Sequence, residues 1–133
     1  MIDIESKVYS PIAAALRSQF SGIAISGEYV NAPSEFPFVS IVEADNYLTL
    51  QRLDSSDTEK YATLMYEVNV YSNKGTRKKS ECKAIMAVID GMMYRMNFTR
   101  ITMTPVPNME NASIYRMTAR YRAETDGTTI YRR

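Results

Sequence analysis

The segment from Ser113 to Glu124 alternates between apolar and polar residues, and this alternation constrains the fold more than any other feature of the chain. A period of two is typical of a β-strand with one buried face and one open face. We therefore expect a sheet that is covered by helices on one side and meets solvent or a partner on the other. The buried face should carry Tyr115, Met117, Ala119, Tyr121 and Ala123, and the opposite face Arg116, Thr118, Arg120, Arg122 and Glu124.

Two segments have apolar residues at helical spacing and can supply the cover. In the first, residues 3–20, an apolar residue recurs at every fourth position. Pro11 leaves two possibilities: a helix that Ser10 caps and that begins at Pro11, or one helix from Asp3 that kinks at the proline. We favour the longer helix because the apolar stripe runs through Pro11. The second helix should span residues 77–96, with a wide stripe of Cys82, Ile85, Met86, Ile89, Met92, Met93 and Met96.

The other strands complete the element order. They are predicted at Ile23–Ser26, Phe38–Ala44, Ala62–Tyr71 and Thr99–Thr104, which gives the order α-β-β-β-α-β-β. Helices and strands do not alternate strictly, so we expect an α+β fold whose sheet is antiparallel or mixed, with two helices packed on one face. The 133 residues suit a single domain, 1–133, that ends in a short basic tail.

The connection at about 46–61 is unusually long for a domain of this size. Its first part could extend the preceding strand, and Asp54 to Asp57 is a turn sequence. As a protruding loop it would expose several apolar residues, which points to a partner. The alternative is a long β-hairpin that packs on its own sheet. The apolar residues in question are Tyr47, Leu48, Leu50 and Leu53.

Composition argues against most catalytic machinery. The chain has no histidine, which removes Ser-His-Asp and Cys-His catalysis and histidine-ligated zinc. Its single cysteine, Cys82, rules out an internal disulfide, and its five glycines form none of the standard phosphate-binding motifs. We therefore predict a non-enzymatic protein without cofactor or metal, with Cys82 and most of the methionines in the core. Neither a signal peptide nor a membrane span is expected.

Charge is distributed unevenly along the chain. Residues 1–66 hold nine acidic and four basic residues, a net charge of −5, whereas residues 67–133 hold six acidic and twelve basic residues, a net charge of +6. This asymmetry is either a simple dipolar surface or the basis of a head-to-tail contact between copies. Lys78 and Lys79 stand near the start of the second helix, where basic residues oppose the helix dipole. They either contact an acidic partner or lie on a solvated face.

Four runs of residues, together with the element order, resemble the tail terminator proteins of long-tailed bacteriophages, which are also called tail-completion or minor tail proteins. The runs are Tyr66–Asn73 ahead of a lysine-rich helix start, Met96–Arg100 at the helix end, Pro105–Asn108, and Ile114–Ala123. The resemblance covers most of the chain. It is firmest from Ala62 to Arg133, whereas the first sixty residues match only in element order.

The resemblance implies a structural role in virus assembly. Members of this family form a six-fold ring on the head-proximal end of the tail tube, where the ring stops tube growth and offers the surface that joins the head. The implied partners are other copies of the chain, the tail tube protein and a head-closure or neck protein. Genomic DNA would pass through the lumen without sequence-specific binding. The implied location is the tail neck of the virion, after assembly in the host cytoplasm and without membrane contact.

Two alternatives to a terminator stay open. A head-closure or head–tail joining protein has the same size and the same ring logic. A small nucleic-acid-binding α+β domain is the alternative from another class, because the arginine row on the last long strand could contact phosphates. An acidic surface of a partner, or a salt-bridged sheet face, accounts better for the same row. The residues expected at a subunit or tube interface are Tyr47, Leu48, Leu50, Arg52, Leu53, Lys78, Lys79, Arg116, Arg120, Arg122 and Arg132.

Overall fold

The computed structural model describes residues 1–30, 32–48, 61–107 and 112–131. It has two helices and a six-stranded mixed sheet, so the predicted α+β fold is confirmed. A short 3-10 turn at Gly75–Arg77 precedes the second helix. The elements are α1 (Glu5–Gln19), β1 (Ala24–Ser26), β2 (Phe38–Leu48), β3 (Ala62–Ser72), α2 (Lys78–Arg95), β4 (Thr99–Val106), β5 (Tyr115–Thr125) and β6 (Ile130–Tyr131).

The sheet has the strand order β1-β2-β3-β5-β4, and β6 pairs with β5 beyond the end of β4. The pair β1–β2 is parallel and the other pairs are antiparallel. The strand β3 lies in the centre and is paired along its whole length with β5. The strands before β3 in the chain, β1 and β2, lie toward one edge of the sheet, and the strands after it, β4, β5 and β6, lie toward the other edge.

The helix α1 is one continuous helix with Pro11 inside it, as the apolar stripe predicts. Its buried residues Val8, Ile12 and Leu16 belong to the stripe that recurs at every fourth position. The alternative of a helix that begins at Pro11 is therefore wrong. The apolar face supplies packing that offsets the hydrogen bond lost at the proline.

The helix α2 packs on β3, β5 and α1, and its apolar stripe forms the centre of the core. Ile85, Ile89 and Met93 are fully buried. Opposite them, the helix-facing side chains of β3, among them Leu64, Tyr66 and Val68, are fully buried as well. The alternation predicted for β3 and β5 therefore describes the helix-facing side of both strands correctly.

The structure adds strand residues that the sequence does not reveal. The sequence predicts that β4 ends before Pro105, but Pro105 and Val106 continue the pairing with β5. Since β4 is an edge strand, proline is tolerated where its missing N–H faces away from the neighbour. Ile130 and Tyr131, expected in the tail, form β6. Most of the predicted protruding loop, residues 49–60, lies outside the described residues, as do Arg132 and Arg133.

Candidate interaction surface

The side of the sheet that faces away from the helices, here called the open face, holds polar side chains that are almost completely buried. Asn69 is 1% exposed and Glu67 is 7% exposed, although both point away from α1 and α2. A buried polar group is costly unless it is hydrogen-bonded. The open face must therefore satisfy these groups by itself, and it does so with side chains from β5.

Asn69 is the best-satisfied of these groups. Its Oδ1 accepts hydrogen bonds from Arg116 Nε at 3.0 Å and Nη2 at 2.8 Å, and from Thr118 Oγ1 at 2.6 Å. Its Nδ2 donates to Glu67 Oε2 at 3.1 Å. Asn69 and Thr118 are direct neighbours across the β3–β5 pair, so the strand register brings donor and acceptor together.

Glu67 is held by an ion pair. Arg120 Nη2 donates to Glu67 Oε1 at 2.6 Å, and these two residues also face each other directly in the register. Tyr29, in the connection between β1 and β2, lies close enough to Glu67 for the carboxylate charge to act on its phenol. Burial, followed by the charge of Glu67, raises the pKa of the Tyr29 phenol. The connection therefore reaches across to the centre of the open face.

Arg116 completes this arrangement at the other end. Its guanidinium carbon lies 5.5 Å from the ring centre of Tyr71, a cation–π distance, and Tyr71 is its direct cross-strand partner. The Phe38 ring lies 5.9 Å from the Tyr71 ring. Burial raises the pKa of Tyr71, while the charge of Arg116 lowers it. Two of the three predicted interface arginines on β5, Arg116 and Arg120, are thus bound within their own chain.

Arg122 differs from these two arginines. Its cross-strand neighbour on β3 is Met65 and its neighbour on β4 is Thr99. The thioether of Met65 is only a weak acceptor, so the register gives Arg122 no carboxylate or amide oxygen of the kind that the other two bind. Its Nε is buried and has no hydrogen-bond partner within the part of the chain that the structure describes. A buried N–H without an acceptor costs free energy.

The basic start of α2 also divides into bound and exposed residues. Lys74 Nζ lies 2.8 Å from Glu81 Oε2, and Glu81 places an acidic group in the first turn, where the helix dipole favours it. Lys78 Nζ donates to the Ala112 carbonyl at 3.0 Å and so holds the chain ahead of β5. Lys79 is exposed. The predicted interface residue Lys78 therefore has a structural contact, and Lys79 lies on the surface.

The end of β2 is the other predicted contact region, and it carries exposed apolar side chains. Tyr47 is 45% exposed and Leu48 is 40% exposed. They face Thr63 and Ala62 at the start of β3, because the strand continues past a bulge between Glu43 and Asp45. The possibility that β2 extends into the predicted loop is thus confirmed as far as Leu48. The candidates Leu50, Arg52, Leu53 and Arg132 fall outside the described residues.

Three buried titratable groups on the helix side, Cys82, Tyr66 and Tyr121, have raised pKa values. Burial raises the pKa of the Cys82 thiol to about 12, and its Sγ contacts the carbonyl oxygens of Val70 and Tyr115 at 3.6 and 3.5 Å. Burial raises the pKa of Tyr66 and Tyr121 as well. Their hydroxyls donate to Glu43 Oε1 at 3.2 Å and Asp90 Oδ1 at 2.9 Å. These contacts fix side chains rather than activate them.

The alternation of β5 indicates the arginine row, but not the acceptors that its side chains bind. Nothing in the alternation of β3 shows that Glu67 and Asn69 are buried, because that depends on which residues of β5 stand opposite. Tyr29 lies in a connection with no periodicity. The sequence offers one indication of this pairing: polar residues in β3 and basic residues in β5 both recur at every second position.

Within the described residues, neither helix is long and apolar enough to cross a membrane. The same residues contain no cluster of three or more cysteine, aspartate or glutamate side chains suited to a metal ion. In comparisons with known proteins, no family model matches the chain and no curated protein matches it.

Proposed function

We propose that this protein is a structural component of a phage tail neck, a tail terminator whose copies form a ring on the head-proximal end of the tail tube. The ring, which we expect to be a hexamer, stops tube growth and provides the surface on which the head joins. The role is non-catalytic. The proposal starts from the resemblance described above and is supported by two features of the fold.

The observation that carries the proposal is the segregation of charge across the sheet. The β1–β2 side, with α1, comes from residues 1–48, which contain six acidic and two basic residues. The side formed by α2, β4, β5 and β6 comes from residues 73–107 and 112–131, which contain ten basic and four acidic residues. Opposite charges toward opposite edges of the sheet favour a head-to-tail contact between copies. Such a contact generates a closed ring when the rotation from each copy to the next adds up to a full turn.

The second supporting feature is the exposed end of β2. Tyr47 and Leu48 combine apolar surface with a position next to the predicted protruding loop. Exposed tyrosine is common in protein interfaces, since it buries a large area at a low cost in conformational entropy. We propose that this end of the sheet contacts the tail tube protein or the head-closure protein.

Electron microscopy of lysates from a phage or prophage that lacks this gene tests the proposal. Overlong tubes, or finished tails that cannot join filled heads, are the expected result. Supplying the wild-type gene in trans should restore normal tails and is the matched control. Tails of normal length beside leaking, DNA-empty heads would contradict the terminator role and favour a head-closure protein. Intact virions would contradict both assignments.

A further inference from the structure

We propose that Arg122 is the docking arginine of the head-to-tail contact, and that it binds carboxylates on the β1–β2 side of a second copy of this chain. The inference rests on the ring of the proposed function and names the chemistry of its repeated contact. It follows from three observations: the position of Arg122 in the sheet, the partners of the other arginines, and the carboxylates exposed at the opposite edge.

Among the arginines of β5, Arg122 is the one whose hydrogen-bond donors are not fully satisfied by the described residues. Arg116 binds Asn69 and stacks on Tyr71, and Arg120 binds Glu67, so withdrawing either would leave a buried acceptor without its donor. Arg122 faces Met65 instead, and among the described residues its buried Nε has no acceptor. Arg122 as a whole is partly exposed, so a small rotation of its side chain would let a carboxylate from a second copy accept from this N–H, and no hydrogen bond among the described residues would be broken.

The opposite edge of the sheet presents the matching groups. Glu28 and Glu35 are exposed in the connection between β1 and β2, and within the described part of the chain neither takes part in an ion pair. Glu28 also lines a shallow cleft of about 340 Å³ together with Glu5 and Tyr9. Carboxylates beside an aromatic ring are a favourable environment for a guanidinium group, which forms charge-assisted hydrogen bonds in a planar fork.

The two surfaces lie on different sides of one molecule, which determines the symmetry of the contact. Arg122 is on β5, next to the β4 edge, and Glu28 follows β1 at the other edge. A copy whose Arg122 binds one neighbour still has Glu28 and Glu35 exposed, and these can bind Arg122 of the next neighbour. Such a contact is heterologous, so it builds rings or open chains rather than closed dimers.

A charge-exchange experiment on the full chain tests the contact. We would prepare Arg122→Glu in one sample and Glu28→Lys with Glu35→Lys in another, and measure assembly by native mass spectrometry and size-exclusion light scattering up to about 1 mM protein. Each variant alone should associate at least about tenfold more weakly than wild type. An equimolar mixture of the two variants should assemble again, because every contact between unlike variants joins opposite charges. Its oligomers should contain the two variants in alternation and therefore an even number of copies.

Two further variants keep the result interpretable. Arg95→Glu makes the same charge change on an exposed residue of α2, and its association should stay close to wild type. Arg122→Gln keeps most of the side-chain packing and should show the weakened association if Arg122→Glu does not fold. Circular dichroism and thermal melting verify the fold of each variant.

Three outcomes would overturn the inference: wild-type protein that remains monomeric at about 1 mM, undiminished association of the Arg122 variants, or a mixture that yields only closed dimers. The lysate experiment decides the proposed function separately. Overlong tails with a monomeric wild-type protein would keep the terminator function and remove this contact. Normal tails with Arg122-dependent rings would keep the contact and remove the function.

Discussion

The central strand β3 is buried on both faces, but the two faces are buried by different means. On the helix side, Leu64, Tyr66 and Val68 are fully buried against α1 and α2. On the open face, Glu67 and Asn69 are nearly as buried, yet their partners are arginine and threonine side chains. Apolar packing buries the side chains of the helix side, whereas hydrogen bonds and an ion pair hold those of the open face.

The two faces therefore tolerate different changes. Apolar packing depends on volume and on the absence of charge, so many hydrophobic side chains could replace one another on the helix side. A hydrogen-bonded network depends on each member, because removing one leaves its partners buried and unsatisfied. The open face also holds Arg122, whose buried Nε has no hydrogen-bond acceptor among the described residues.

The largest expected effect is the loss of the helix-side core. Ile89 is fully buried in the middle of α2, and Ile89→Asp would place a charge there with no partner. We expect a cost of about 4 kcal/mol or more, a large part of the stability of a domain of this size. The variant should be unfolded or insoluble, as judged by far-ultraviolet circular dichroism.

The control for this core variant is Ala84→Asp, which introduces the same side chain at an exposed position of the same helix. Its melting temperature should stay within a few degrees of wild type. A folded and soluble Ile89→Asp protein would show that the helix side is not the principal core.

The helix side could be predicted from the sequence because a repeated period encodes it. Apolar residues at every fourth position in α1 and at every second position in β3 and β5 specify which faces meet, whatever the strand order is. The continuous path of α1 through Pro11 followed from the same stripe.

The open face could not be predicted, because its stability depends on register and strand order. The pairs Glu67–Arg120 and Asn69–Thr118 exist only since β5 lies next to β3 in one alignment, and a shift by one residue would separate them. The strand β6 has two residues, too few to show a period. The continuation of β4 through Pro105 depends on its position at the edge of the sheet.

The second prediction tests whether the open-face network stabilises the fold. Asn69→Ala would leave the Arg116 guanidinium and the Thr118 hydroxyl without their common acceptor. We expect a cost of roughly 2–3 kcal/mol in the free energy of unfolding, measured by urea denaturation. Thr104→Ala removes an exposed hydroxyl next to Thr118 and should cost less than about 0.5 kcal/mol. Equal costs for the two variants would mean that the network contributes nothing specific.

The third prediction concerns the Glu67–Arg120 pair, which is buried at the glutamate and about half exposed at the arginine. A double-mutant cycle with Glu67→Gln and Arg120→Met should give a coupling energy of about 1 kcal/mol or less, because solvent reaches the guanidinium. Arg120→Glu should be distinctly more harmful than Arg120→Met, since it sets two carboxylates against each other. An Arg120→Glu protein as stable as wild type would remove this ion pair from the account of the open face.

The smallest expected effect comes from a carboxyl group on the helix side, where a polar contact exists among apolar neighbours. Burial raises the pKa of Glu43 above its ordinary 4.5, although the hydrogen bond from Tyr66 opposes the shift. A raised pKa means that the folded chain binds this proton more tightly than the unfolded chain does. The contribution of Glu43 to stability is therefore greatest at low pH and declines as the pH rises through 4.5 and beyond.

Glu43→Gln should remove this decline while it keeps an oxygen that can accept the Tyr66 hydrogen bond. We expect the melting temperatures of the variant and wild type to be similar near pH 4, and the variant to melt slightly higher, by at most a few degrees, at pH 7. Glu35→Gln, at an exposed site in the connection between β1 and β2, should show no such divergence. If Glu43→Gln instead loses stability between pH 4 and pH 7, the ionised carboxylate is the better partner for Tyr66. The helix side would then hold a charge-dependent contact of the kind found on the open face, and the contrast between the two faces would be smaller than their burial suggests.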